Sequence, residues 1–212
     1  MKKEGSDLAD SYLTIEKEAM DEFTEKRSRF IGYIKPVSTE AEALEFIEGI
    51  KKKHWDAKHN VYAYVLKSGA SRFSDDGEPQ GTAGMPVLDV LQKSNVVDCV
   101  VVVTRYFGGI LLGGGGLVRA YSHAASIAVA AAGIKEMKPY TLLTTTVDYN
   151  LYGKFENVVN SNSGSIESSD FKENVTVSFL IPSENVGKFE KDLSEISLGS
   201  ASCEIVKESI YR

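Results

Sequence analysis

The chain has 212 residues, 42% hydrophobic and 25% charged, an ordinary composition for one or two globular domains. Its 24 Lys and Arg against 30 Asp and Glu leave a formal charge of −6, which excludes a whole-molecule attraction to nucleic acid or anionic lipid, so a polyanionic partner needs a local basic site. Met1 to Met20 lacks the apolar core of a signal peptide, and Val100 to Val103 and Ile127 to Ile134 fall short of the roughly 20 residues that cross a bilayer, so a cytoplasmic protein without membrane contact is expected.

Phe23 to Val37 is rich in strand formers up to Pro36 and predicts one strand. Thr39 with Glu42 forms a capping box, and Ala43, Leu44, Ile47 and Ile50 recur at helical spacing, which predicts an amphipathic helix over 39–53. Its end carries Lys51 to Lys53, suited to the C-terminal dipole, and the single tryptophan, Trp55, flanked by His54 and His59. Val61 to Lys67 alternates as a strand, and Arg72 to Ser74 pairs back on it across Gly69. Ser74 to Gly84 is a polar loop, and Pro86 opens a short helix. Val96 to Thr104 is a β-branched run suited to a strand buried on both faces. Leu117 to Ala132, Ala-rich on every side and stopped by Gly133, is a buried helix that contains a packed His123.

A join near Lys135 to Pro139 separates domains 1–136 and 137–212, and neither is basic: 17 basic and 19 acidic residues precede Met137, leaving 7 and 11 after it. In the second block Thr141 to Tyr149 is a strand, and Asn150 caps a helix with Leu151, Phe155, Val158 and Val159 inward. Ser165 to Phe171 and Val175 to Ile181 form a hairpin, Ser183 caps a second helix, and Ala201 to Lys207 closes the order βαββαβ, a ferredoxin-like pattern. Cys99 and Cys203 lie in apolar stretches without a second Cys or His at ligand spacing, so both read as reduced, buried thiols.

The segment Thr104 to Tyr121 carries the strongest chemical signal. Six glycines, Gly108, Gly109, Gly113, Gly114, Gly115 and Gly116, fall within nine positions. If the last three open the following helix, free amides and its dipole converge on a site for an anion such as phosphate. The same glycines also suit tight turns and close packing. Gly116 is followed by Leu117-Val118-Arg119 instead of Lys and Ser or Thr, and no G-x-G-x-x-G register exists, so neither nucleotide motif is present. Arg105, next to Tyr106, and Arg119 can add forked contacts to a phosphate, or pair with Asp75, Asp76 or Glu78. Those carboxylates, with His59, can supply acid–base or magnesium chemistry, or form a solvated or Arg-paired turn, and their spacing is not that of a calcium loop.

Ser28-Arg29-Phe30-Ile31-Gly32, His59-Asn60-Val61-Tyr62-Ala63-Tyr64, Asp75-Asp76-Gly77-Glu78-Pro79 with Gly81-Thr82-Ala83-Gly84, and Val103-Thr104-Arg105-Tyr106-Phe107-Gly108-Gly109 with Leu112-Gly113 and Gly115 to Tyr121 resemble the IMPACT/YigZ family in its bacterial two-domain form. The resemblance implies an α+β protein. Its first domain is an α/β sandwich of the type shared by a small-subunit ribosomal protein, the fourth domain of the ribosomal translocase and GHMP kinases. The second is similar to the translocase's fifth domain. Eukaryotic relatives regulate translation during amino-acid starvation and carry a further N-terminal partner-binding domain, which is not expected here. The resulting expectation is a non-catalytic protein of the translation machinery that binds structured RNA or the ribosome, with no cofactor and no metal. A phosphate-handling enzyme and a purely protein-binding regulator are the alternatives.

Overall fold

The computed structural model describes residues 11–212, so part of the Met1 to Met20 segment lies outside the described residues. The molecule is an α+β protein that divides into a unit spanning Tyr12–Glu136 and one containing Met137–Arg212. The first unit runs Tyr12–Ile15 (β1), Ala19–Glu25 (β2), Ser28–Pro36 (β3), Glu40–Lys53 (α1), His59–Val65 (β4), Ser71–Ser74 (β5), Gly84–Lys93 (α2), Cys99–Tyr106 (β6), Gly114–Ala132 (α3) and Ile134–Met137 (β7).

Its centre is the β-branched strand β6, the middle member of an antiparallel sheet ordered β2-β3-β6-β4-β5. Strand alternation sends Val101 and Val103 to one face, against Val87 and Leu91 of α2 and Ala120, Ala124 and Ala128 of α3. Val100 and Val102 go to the other, against Ala43, Ile47 and Ile50 of α1. Helices cover both faces, which is why β6 tolerates no polar alternation.

The predicted strand from Phe23 is two strands. Lys26 and Arg27 both take positive φ, 44° and 65°, and turn β2 back onto β3. This two-residue turn usually calls on Asn or Gly, so the Lys-Arg pair left no signal. Strand β6 begins at Cys99, three residues later than expected, because Asn95 and Asp98 are left-handed, φ 53° and 55°. At α1 the Thr39 hydroxyl accepts from the Glu42 amide at 3.2 Å, while the Glu42 carboxylate accepts from the Ser38 amide at 2.7 Å, one residue outside the usual box.

The second unit contains Pro139–Val147 (β8), Tyr149–Ser161 (α4), Ser165–Phe171 (β9), Val175–Pro182 (β10), a 3-10 turn at Ser183–Asn185, Val186–Ile196 (α5) and Cys203–Tyr211 (β11). Its antiparallel sheet, ordered β11-β8-β10-β9, packs Leu143, Val177 and Phe179 against Phe155 of α4 and Phe189 and Leu193 of α5. Asp148, not Asn150, occupies the cap position of α4. Ser183 spends its hydroxyl on Thr141 at 3.0 Å and does not cap α5. The cysteines also differ: Cys99 is buried, which pushes its thiol up to about 12, whereas Cys203 is only partly covered.

The alanines of α3 let its backbone approach β3 closely. A Cβ placed on Gly32 would collide with the carbonyl oxygen of Ala124, a helix atom that cannot swing aside. Gly32→Ala is therefore expected to lower stability by about 1–3 kcal/mol, read as a shifted midpoint in urea unfolding without a changed slope.

Candidate functional site

At the end of β6, alternation points Arg105 toward α3 and Tyr106 toward α1. Arg105 is 5% exposed and donates from Nη1 to Glu78 Oε1 at 2.6 Å. Tyr121 of α3 donates its hydroxyl to the same oxygen at 2.7 Å, and burial pushes that phenol far above its ordinary range. The guanidinium lies near the rings of Phe30 and Phe107, 5.4 and 5.5 Å from their centroids. Its Nη2 reaches the Ser28 hydroxyl at 3.5 Å, and that oxygen accepts from the Gly108 amide at 3.2 Å. Arg105 Nε is buried and has no hydrogen-bond partner among the described residues.

The acidic loop behaves in two ways. Asp75 holds the amino end of α2: Oδ1 accepts from the amides of Ala83 and Gly84 at 3.1 and 2.8 Å, and Oδ2 from Gly81 at 2.8 Å. Asp76, at φ 44°, accepts from the Asn60 amide at 2.6 Å. Both carboxylates are therefore committed to main-chain amides. Glu78 alone of the three joins Arg105. His59 Nδ1 lies 2.7 Å from the Asp76 carbonyl oxygen, which can only accept, so Nδ1 donates and Nε2 is left 3.8 Å from Glu78 Oε1.

Above this cluster is a cavity of about 370 Å³ with Lys58, His59, Glu78 and Arg105 as its polar lining and Pro79, Phe107, Leu111, Leu112 and Leu117 as its apolar walls. Gly113 and Gly114 line it as well. Gly113, at φ 74°, turns the chain into α3, which opens at Gly114 with neither a side-chain cap nor an acidic residue in its first turn. The first amides of a helix have no intrahelical acceptor, so partial positive charge gathers here. Lys58 and Arg105 against Glu78 add a formal charge of one, positive.

The remaining predicted residues are dispersed. Gly108 packs so tightly on the Arg27 main chain that a side chain has no room, and Gly109 has φ 84°, so these two serve the turn. Tyr106 is on the opposite face of the sheet, bonded to His54 and Asp56 at 2.9 and 3.0 Å. Arg119 is exposed, beside Gly115, and lines a second cavity of about 280 Å³ with Gly116, Phe23, Lys26 and His123. The two arginines thus line different cavities that have Leu112 in common. His123, expected to be packed, is exposed with its ring edge on Phe23 at 4.6 Å. Sequence reading missed Lys58, Ser28, Phe107, Leu111 and Tyr121. Only the apolar Phe107 and Leu111 inside a glycine loop carried a usable signal.

A buried charge left without its partner is costly, so Glu78→Ala is expected to lose roughly 3–5 kcal/mol of unfolding free energy. Glu78→Leu combined with Arg105→Met should cost less than the sum of the two single changes, because neither charge is then orphaned; urea unfolding of the four proteins closes the cycle.

Comparison with known proteins places these residues in a wider group. The description Impact N-terminal domain matches residues 26–129, and a domain of unknown function, DUF1949, matches 145–200. The chain is 40% identical over 193 residues to the IMPACT family member YvyE of Bacillus subtilis, covering 90% of this chain and 89% of that protein. It is 35% identical to the IMPACT family member YigZ of Escherichia coli, with 86% and 92% covered. A crystal structure described only as a hypothetical protein superposes with a TM-score of 0.62 at 33% identity, covering 94% of this chain and 99% of that one. Two matching domains in order, with near full-length coverage at these identities, mean that the chain belongs to the IMPACT family.

Proposed function

We propose that this is a cytoplasmic, translation-associated protein that acts by binding, and that the cavity at the start of α3 receives a backbone phosphate of structured RNA or of the ribosome. The observation that carries the reading is the uncapped amino end of α3 meeting Lys58 and the buried Arg105 in one cavity. Phosphate oxygens match such amides and need no sequence-specific partner. The rest of the surface supports a local contact only, since the chain carries a net −6. Arg105 serves chiefly by shape and field, because Glu78 already takes one of its nitrogens. Arg119 and Lys26 offer a second phosphate contact along the same helix. The resemblance to translation regulators and to translocase domains points to the same class of partner.

A second reading, a phosphate-handling enzyme, draws on His59. Its Nδ1 is held by the Asp76 carbonyl, which fixes the ring and leaves Nε2 beside Glu78 in the cavity wall. Asp75 does not contribute to that reading, both of its oxygens being engaged by amides, while Asp76 has one oxygen on the Asn60 amide.

The discriminating substitution is Gly114→Asp. A Cβ there meets nothing nearer than Thr82 Cγ2 at 3.9 Å, and an acidic residue in the first turn favours the helix, so the fold is kept while an anion is repelled. Co-sedimentation with ribosomes and with tRNA at low salt should fall about tenfold or more for Gly114→Asp, and Lys58→Gln should lower the salt slope by about one. Binding that ignores both changes would overturn the reading. A thermal shift with nucleotide and magnesium, accompanied by turnover lost in His59→Gln, would favour the enzyme instead.

A further inference from the structure

The single tryptophan of the chain stands on the turn after α1 with 84% of its surface exposed. Indole is seldom left in water in this way, and an exposed one on a rigid support costs little entropy to use. The support is rigid because both flanks of Trp55 are tied down. His54 is buried, with Nε2 on the Tyr33 hydroxyl at 2.7 Å and Nδ1 on the Tyr106 hydroxyl at 2.9 Å. Burial holds that imidazole below its ordinary range, so it is a neutral strut. Its carbonyl accepts from the Ala57 amide at 3.0 Å and from Asn60 Nδ2 at 3.3 Å. Lys58 then donates its amide to the Arg105 carbonyl at 3.1 Å, joining the turn to β6.

Charge around the indole is opposite to that of the molecule. Between Glu48 and His59 there are four lysines, Lys51, Lys52, Lys53 and Lys58, against Glu48 and Asp56. Glu48 is paired with Lys51 at 3.2 Å, and Asp56 accepts from Tyr106. Lys52, Lys53 and Lys58 are exposed, and Lys53 Nζ sits 4.8 Å from the Tyr33 ring centre. An exposed aromatic face on a segment that carries exposed ammonium groups on both sides in sequence matches a ligand with π faces and negative charges in alternation.

We infer that Trp55 is a stacking platform for an unpaired base, with Lys52, Lys53 and Lys58 on the flanking phosphates. The inference rests on the RNA-binding reading above and sharpens it: Lys58 belongs to this turn and also lines the cavity at α3. The RNA is engaged where its bases are splayed, at a loop, bulge or single-stranded stretch, because the bases of an A-form duplex offer no face to an indole.

Because Trp55 is the only indole, its emission reports this site alone. Titration with a short oligouridine at low salt should quench it to a plateau, with a weaker response at higher salt, whereas an RNA duplex of equal length should leave it nearly unchanged. Trp55→Phe should retain most of the affinity and Trp55→Ala should lose about tenfold or more. Lys52→Gln with Lys53→Gln should flatten the salt dependence by about 1.4 in slope. Absent quenching, together with unchanged oligouridine binding by Trp55→Ala, would overturn the stacking site. If ribosome binding then still depends on Gly114, the cavity reading stands alone, and if it does not, both fall. Quenching by polyglutamate but not by oligouridine would also overturn the inference and assign the surface to an acidic protein.

Discussion

Glu78 enters the protein interior as a carboxylate and can remain there only with a cation and a hydrogen-bond donor at hand. Arg105 and Tyr121 supply them through one oxygen, at 2.6 and 2.7 Å. That oxygen is therefore the point at which the acidic loop, the end of β6 and the first turns of α3 are fixed to one another. A pair of this kind adds little net stability compared with well-packed apolar groups, but removing either member is severe. Its effect is positional: the loop that carries Pro79 and the helix that presents Gly114 are held on either side of one cavity.

The same pair leaves the cavity with little formal charge of its own. Glu78 cancels Arg105, so the excess comes from Lys58 and from the backbone dipoles of α3. Backbone amides cannot be reoriented by salt or by side-chain rotation, and glycine at Gly113 and Gly114 removes the side chains that would shield them. In a chain of net −6 this confines the positive field to a small footprint.

The doubly buried strand, the α1 cap at Thr39 and the βαββαβ order were legible because each rests on local periodicity or capping. The β2–β3 turn was not, since Lys26 and Arg27 adopt left-handed geometry under pressure from the strands they join. Among site residues, the glycine opening of α3 could be read from composition, and an Arg–carboxylate pair was one of two open readings for Arg105. Which carboxylate it chose depended on where the loop folded. Asp75 and Asp76 look equivalent to Glu78 in sequence, yet their shorter side chains reach the nearby amides of Gly81, Ala83, Gly84 and Asn60. Arg105 and Arg119 are separated by a strand end and a helix turn, so no linear spacing told that they line different cavities.

Strand alternation at the last two residues of β6 ties the two halves of the surface together. Arg105 turns to one side and organises the cavity; Tyr106 turns to the other and, through His54 and Asp56, fixes the turn that carries Trp55. The main chain between them closes the link, since the Arg105 carbonyl accepts from the amide of Lys58, whose side chain lines the cavity. A shift of β6 by one residue would exchange these roles and place a buried cation on the α1 face, where the core is apolar and aromatic. The register is held against that slip by the strand end, where Arg105 meets Glu78 on one face and Tyr106 meets His54 and Asp56 on the other, since the like valines at 100 to 103 would bury equally well in either register. The two residues that end the apolar run thus also set the spacing between the cavity and the turn that carries Trp55.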